Sequence, residues 1–173
     1  LITTDIVNIG IVGKYVSLPD AYISVTEALR HGGIYHNTKI NVVWIPAESL
    51  EASDVELDKI FENIDGILVP GGFDSRGIEG KILAAKYARE NQIPYFGICL
   101  GMQCAVIEFA RSKAGIIKAT SSEFHPDSDV SVIDLMEDQI SIQEKGGTMR
   151  LGTYPCCLAS NTKARKAYGE ENI

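Results

Sequence analysis

Cys99 has a glycine two residues away on either side, Gly97 and Gly101, within the run Pro94 to Gln103, PYFGICLGMQ. The run begins as a short apolar strand and passes at once into helical spacing, so it reads as a strand, a sharp turn carrying Cys99, and a helix. A nucleophile on such a turn sits on strained backbone, and its neighbours two positions away must be small for strand and helix to pass closely. The thiolate is the form that attacks carbon, and the free N–H groups of a helix's first turn favour negative charge there. A plainer reading is also open, in which Cys99 is a small apolar residue at the end of a core strand.

A second turn of related design follows another apolar strand at Ile67 to Gly77, ILVPGGFDSRG. A cysteine attacking a carbonyl needs donors for the oxyanion, each worth about 3 kcal/mol when well aimed. The N–H of Leu100 is one candidate, and the Gly71-Gly72 pair offers backbone free of side chains for the second. Pro70, Gly71 and Gly72 could equally form a plain tight turn. As a phosphate cradle the segment lacks the Lys and Ser/Thr of a P-loop. For a base the chain has three histidines. His31 and His36 fall near the end of the first helix, where a solvated surface suits them, and His125 falls in a polar connection soon after Cys99.

These turns need a scaffold. Ile6 to Val12, Lys39 to Ile45, Asp65 to Val69 and Ile93 to Ile98 are short, apolar and rich in β-branched residues, as buried parallel strands are. Between them, Ala21, Val25, Ala28 and Leu29 share a helical face that Gly32 and Gly33 close, Glu51 to Asn63 is weakly helical, and Ile78, Ile82 and Ala85 recur on a helix running into Asn91. After Cys99, a stripe of Met102, Ala105, Val106, Phe109 and Ala110 is predicted to be the buried face of its helix. Strands alternating with helices predict a parallel sheet covered on both faces, with ligand sites at the carboxyl ends of the strands. Beyond Arg111 the pattern shifts to turns, a strand over Val130 to Met136, another from Gly146 through Leu158, and a short helix over Asn161 to Tyr168, which predicts a small antiparallel extension.

Composition narrows the function classes. A chain of 173 residues is most simply one domain. Its net charge of −7 and the absence of a basic stripe argue against nucleic-acid or membrane surfaces. The four cysteines, at 99, 104, 156 and 157, have neither zinc spacing nor the density of a disulfide scaffold, so a reducing, cytoplasmic setting and no metal are expected. Cys156 and Cys157 would point to opposite faces of a strand and are read as packing residues.

GICLGMQ at Gly97 to Gln103 together with PGGF at Pro70 to Phe73 resembles the class I, triad-type glutamine amidotransferases. VGKYV at Val12 to Val16, DAYISVTEALRHGG at Asp20 to Gly33, RGIEGKILAAKYARENQIPYFGICLGMQ at Arg76 to Gln103, SSEF at Ser121 to Phe124 and KGGTMRLG at Lys145 to Gly152 are similar, nearly end to end, to the glutaminase domains of the CTP synthase family. The resemblance implies a flavodoxin-like fold, with a mostly parallel central sheet and helices on both faces. It implies Cys99 as the nucleophile that forms a glutamyl thioester, and the backbone of Gly72 and Leu100 as the oxyanion hole. It also implies that Gly72, Leu100, Gly101, Met102, Gln103 and Glu123 hold L-glutamine. By the same resemblance the ammonia serves an ATP- and Mg-dependent amination of UTP to CTP in a synthetase domain of the same polypeptide, GTP is an allosteric activator, and the full enzyme is a homo-tetramer. No cofactor is expected in the glutaminase part itself.

Two departures qualify this. The family's catalytic histidine and glutamate lie in a late HPE motif, preceded by a segment rich in arginine and histidine, and neither is among these residues; His125-Pro126-Asp127 is similar to that motif but comes too early. Asp74 stands where many members carry glycine. Residues 1–173 are therefore expected to be a glutaminase domain incomplete at its C-terminal end, without the synthetase domain, and to hydrolyse glutamine poorly or not at all alone. Two alternatives stay open: a binding or regulatory module of the same fold, and an unrelated α/β cysteine hydrolase or redox protein.

Overall fold

β1 (Asp5–Gly13) and β2 (Thr38–Pro46) pair in parallel along their whole length, from Asp5 opposite Thr38 to Gly13 opposite Pro46. The computed structural model of the chain describes residues 5–14, 16, 19–72, 76–135 and 155–173. They fall in two compact units, 1–134 and 135–173. In the first, β3 (Gly66–Val69) joins β1 on its other side and β4 (Tyr95–Gly97) joins β3, giving an all-parallel sheet of order β2-β1-β3-β4. The four predicted parallel strands and the helical crossovers between them are borne out, with β4 shorter than Ile93 to Ile98.

Alternation sends neighbouring strand residues to opposite faces. On one face Val12, Ile45, Ile67 and Val69 pack with Leu50, Phe61, Ala84 and Ala88, so that α2 (Leu57–Phe61) and α3 (Ile78–Glu90) close the main core. The other face carries α1 (Ile23–Tyr35), whose Val25, Ala28 and Leu29 line a cleft of about 530 Å³ with Val7, Ile9, Ile40, Leu68, Phe96 and Ile98 of the sheet. The helix does not stop at Gly32 and Gly33 as predicted. Gly33 is where α1 presses on β2, a Cβ there lying 2.6 Å from the Thr38 carbonyl oxygen, so the glycine serves packing and the helix runs on to Tyr35.

α4 (Leu100–Ser112) corrects a second expectation. Its buried face is Leu100, Gly101, Cys104, Ile107, Glu108 and Ala110, while Met102 and Phe109, of the predicted stripe, are 49% and 57% exposed. The reason is α3: Ile78 and Ile82 meet Leu100, Cys104 and Ile107 in a second apolar cluster, completed by Phe124, Val132 and Ile133. The buried side also takes Glu108, only 3% exposed, because Arg89 of α3 donates from Nε and Nη2 to its carboxylate at 2.7 to 3.1 Å. At the other contact Arg111 forks onto Glu79 at 2.7 and 3.1 Å and donates from Nε to the Ala119 carbonyl.

β5 (Thr120–Ser121) and β6 (Ser131–Ile133) pair in parallel, not antiparallel, because the connection between them doubles back through turns at Phe124 and Ser128 before β6 begins. The strand expected from Gly146, and the rest of the extension over 136–154, lie outside the described residues, as do Phe73, Asp74 and Ser75. In the second unit α5 (Lys163–Tyr168) is capped by Thr162, whose Oγ1 accepts from the Arg165 N–H, and an antiparallel bridge joins Cys157 to Asn172. Cys156 and Cys157 are both exposed free thiols, so the packing role expected for them is not what the structure shows. No helix among the described residues is long and apolar enough to cross a membrane.

Burial pushes the Glu108 carboxyl up, but the hydrogen bonds from Arg89 and Ser112 outweigh it and hold it below its ordinary value. The pair's contribution is therefore complete above the ordinary carboxylate range and lost as pH falls through the lowered value. Glu108→Gln is expected to lower Tm at neutral pH by roughly 5 °C, with the gap to the parent closing as the solution is acidified. Thermal melts of both proteins across an acid series check it.

Candidate active site

The turn that bears Cys99 is set by the sheet. Val69 and Gly97 are register partners, and the Ile98 N–H donates to the Val69 carbonyl at 2.9 Å, carrying the β3–β4 ladder one step past its last pair. The chain then reverses: the Gly101 N–H donates to the Ile98 carbonyl at 2.9 Å, closing a four-residue turn with Cys99 and Leu100 at its centre. Cys99 has φ 52° and ψ −111°, near the first central position of a type II′ turn, where glycine is the usual residue. A side chain is held on such backbone only where its surroundings over-determine it.

Those surroundings are backbone. A Cβ on Gly101 would lie 2.0 Å from the Val69 carbonyl oxygen, and one on Gly97 would lie 2.4 Å from the Gly101 carbonyl carbon. The first turn of α4 is thus seated on the ends of β3 and β4 with no room for a side chain at either glycine. Cys99 itself is exposed at the N-terminus of α4, and Leu100, which follows it, is buried. As the first residue of the helix, Leu100 has an N–H without an intrahelical acceptor.

The glycine pair after β3 comes to the same place. A Cβ on Gly71 would stand 3.3 Å from the Cys99 Cβ and 3.9 Å from its Sγ, and one on Gly72 would stand 3.9 Å from Leu100 Cδ2. The structure therefore brings Gly72, Cys99, Leu100 and Gly101 together, with Met102 and Gln103 on the same first turn of α4. Glu123 comes from a separate element, the turn after β5, where its N–H donates to Ser121 Oγ at 3.2 Å. The neighbouring Phe124 packs on the cluster that includes Leu100 and Cys104, which draws this turn towards α4.

None of the three histidines is placed with Cys99 among the described contacts. His31 and His36 are exposed at the end of α1, and His125 lines a cleft of about 480 Å³ with Arg111, Lys118 and Asp127, at the far end of α4. The other cysteine of α4, Cys104, is fully buried, and burial pushes its thiol up to about 12, so it stays protonated and inert. No group of three or more metal-ligating side chains occurs among the described residues.

Sequence reasoning missed two parts of this site. The Val69 carbonyl accepts the Ile98 N–H and limits the size of residue 101, and the Tyr95 hydroxyl donates to the Gly101 carbonyl at 2.7 Å. A signal for the second was present: Tyr95 and Gly97 are two apart on a strand, so both face the side on which the next helix must lie.

The sequence profile of the family described as Glutamine amidotransferase class-I matches residues 17–170. The chain is 65% identical over 167 residues to a CTP synthase of Carboxydothermus hydrogenoformans and 56% identical over 171 residues to one of Methanocaldococcus jannaschii, each match covering 96% of this chain. It spans only 31% and 32% of the length of those relatives. Among solved structures, the glutaminase domain of Trypanosoma brucei CTPS with bound acivicin is similar with a TM-score of 0.72 and 41% identity, covering 77% of this chain and 51% of that one.

Gly101→Ala forces the Val69 carbonyl and the helix apart, and is expected to cost about 3 kcal/mol of stability. Urea denaturation of the variant beside the parent measures it, and an unchanged midpoint would mean that α4 is not seated as described.

Proposed function

The chain belongs to the class-I glutamine amidotransferase family, and on that basis we propose that it is the glutaminase part of a CTP synthase, hydrolysing L-glutamine through a thioester on Cys99. The observation that carries this reading is the exposed thiol of Cys99 on left-handed backbone at the start of α4, with the Gly71-Gly72 turn beside it. In the proposed reaction the Cys99 thiolate attacks the side-chain amide carbon of glutamine. A bond forms between Sγ and carbon as the carbonyl electron pair moves to oxygen, and the oxyanion faces the N–H groups of Gly72 and Leu100. The C–N bond then breaks, ammonia leaves with an added proton, and water cleaves the thioester to give glutamate and free Cys99. Gly101, Met102 and Gln103 line the glutamine side chain on this reading, and the Glu123 carboxylate takes the substrate's ammonium group.

Proton transfer needs a group these contacts do not supply, since the three histidines lie elsewhere. On this proposal residues 1–173 are one glutaminase domain whose base, and whose synthetase domain, belong to the remainder of a polypeptide as long as the relatives. ATP, Mg and UTP would act in that synthetase domain, GTP would activate the enzyme, the assembly would be a homo-tetramer, and its setting would be the cytoplasm.

A glutamine analogue with a chloroketone in place of the amide tests the site without needing the base. The Cys99 Sγ–C bond forms as the C–Cl bond breaks and chloride leaves, so peptide mapping should find the adduct on Cys99, with glutamine protecting and Cys99→Ala unlabelled. Acivicin should compete, as the bound state of the trypanosomal domain suggests. Labelling spread over Cys99, Cys156 and Cys157 without glutamine protection would count against the reading and favour a general reactive thiol. As a separate polypeptide, residues 1–173 should release ammonia from glutamine no faster than Cys99→Ala, because general acid–base help worth about a hundredfold or more is missing.

A further inference from the structure

Tyr95 ends up in a position that its place in a three-residue strand does not explain. Its ring packs at the edge of the main core, and its hydroxyl reaches across to α4 to donate to the carbonyl of Gly101 at 2.7 Å. A helical carbonyl oxygen has two lone pairs, so it can accept this bond beside its intrahelical one. Gly101 is the closing residue of the turn whose centre is Cys99 and Leu100. The peptide plane of Gly101 is thereby held on three sides, by the Val69 carbonyl, by the backbone contact with Gly97, and by the Tyr95 hydroxyl. The first two contacts are steric and push; the third is the one that pulls. The Gly101 N–H to Ile98 carbonyl bond closes the turn from within, and the Tyr95 hydroxyl ties it to β4 from outside.

We propose that Tyr95 is a positioning residue for Cys99, its hydroxyl holding the Gly101 carbonyl so that the Cys99 thiol and the Leu100 N–H stay aimed at one carbonyl group. This rests on the glutaminase reading for the identity of that carbonyl, and on the geometry alone for the hold on the turn. Burial, with Cys104 nearby, pushes the Tyr95 phenol well above its ordinary value, so it remains a donor throughout the working range of pH. Tyr95 does not touch the reacting atoms in this account. Its effect should therefore fall more on the rate of bond formation than on ligand affinity, since small errors of aim are costly to rate.

The test uses Tyr95→Phe, which keeps the ring and removes the hydroxyl, beside Phe61→Leu, which loosens the same core from α2. Inactivation by the chloroketone analogue is followed to saturation, giving kinact and KI separately. For Tyr95→Phe, kinact is expected to fall about tenfold to a hundredfold with KI within twofold of the parent. Phe61→Leu should lower Tm comparably and leave kinact unchanged. An unchanged kinact in Tyr95→Phe, an equal fall in Phe61→Leu, or a Tyr95→Phe protein that does not fold would each overturn the proposal, the last because the hydroxyl would then serve the whole fold. If the parent protein is not labelled by the chloroketone, it is the glutaminase reading that fails. The hold on the turn is then read from iodoacetamide alkylation of Cys99, whose rate should change about threefold or more in Tyr95→Phe as the thiol's exposure and its alignment with the first-turn N–H groups of α4 change, and an equal rate would overturn it.

Discussion

The carbonyl oxygen of Val69 is the point on which the first unit turns. It accepts the Ile98 N–H, which extends the β3–β4 ladder, and it sits so close to Gly101 that a methyl group there would lie 2.0 Å away. The register that pairs Val69 with Gly97 fixes both facts at once. It also places the segment after Val69 beside the segment after Gly97, so the Gly71-Gly72 turn and the Cys99 turn become neighbours without any contact designed for that purpose. In parallel sheets the strand ends on one edge gather their loops in this way. Here the gathering is tight enough that three backbone elements touch with no side chain between them.

A helix seated by its first turn alone could still pivot, and polar groups further along α4, where it meets α3, oppose that. Arg89 forks onto the buried Glu108, and Arg111 forks onto Glu79 while bonding the Ala119 carbonyl. Breaking one partner of a buried pair costs more than the pair itself contributes, because the remaining charge is stranded. Lys81 of α3 lies in the same layer, 2% exposed, and burial pushes its ammonium below its ordinary value. The α3–α4 layer is thus tied by charge as well as by apolar contact. The opposite side of α4 keeps Met102, Val106 and Phe109 exposed.

Local backbone was written plainly in the residues. Gly97, Cys99 and Gly101 at two-residue spacing, the apolar β-branched runs, and the alternation of strands with helices gave a parallel α/β sheet with the Cys99 turn at its carboxyl edge, and each of those features depends on neighbours within a few positions. The same residues could not say which face of α4 is buried. Two apolar stripes exist on that helix, and the longer one, through Met102 and Phe109, loses to Cys104 and Ile107 because α3 arrives on that side with Ile78, Ile82 and Arg89. Nor could they show that β5 and β6 run parallel, that Gly33 is spent on contact with β2, or that the Tyr95 hydroxyl finds the Gly101 carbonyl. Each of these is decided by which distant segment comes to lie alongside, and a local period in hydrophobicity carries no record of that.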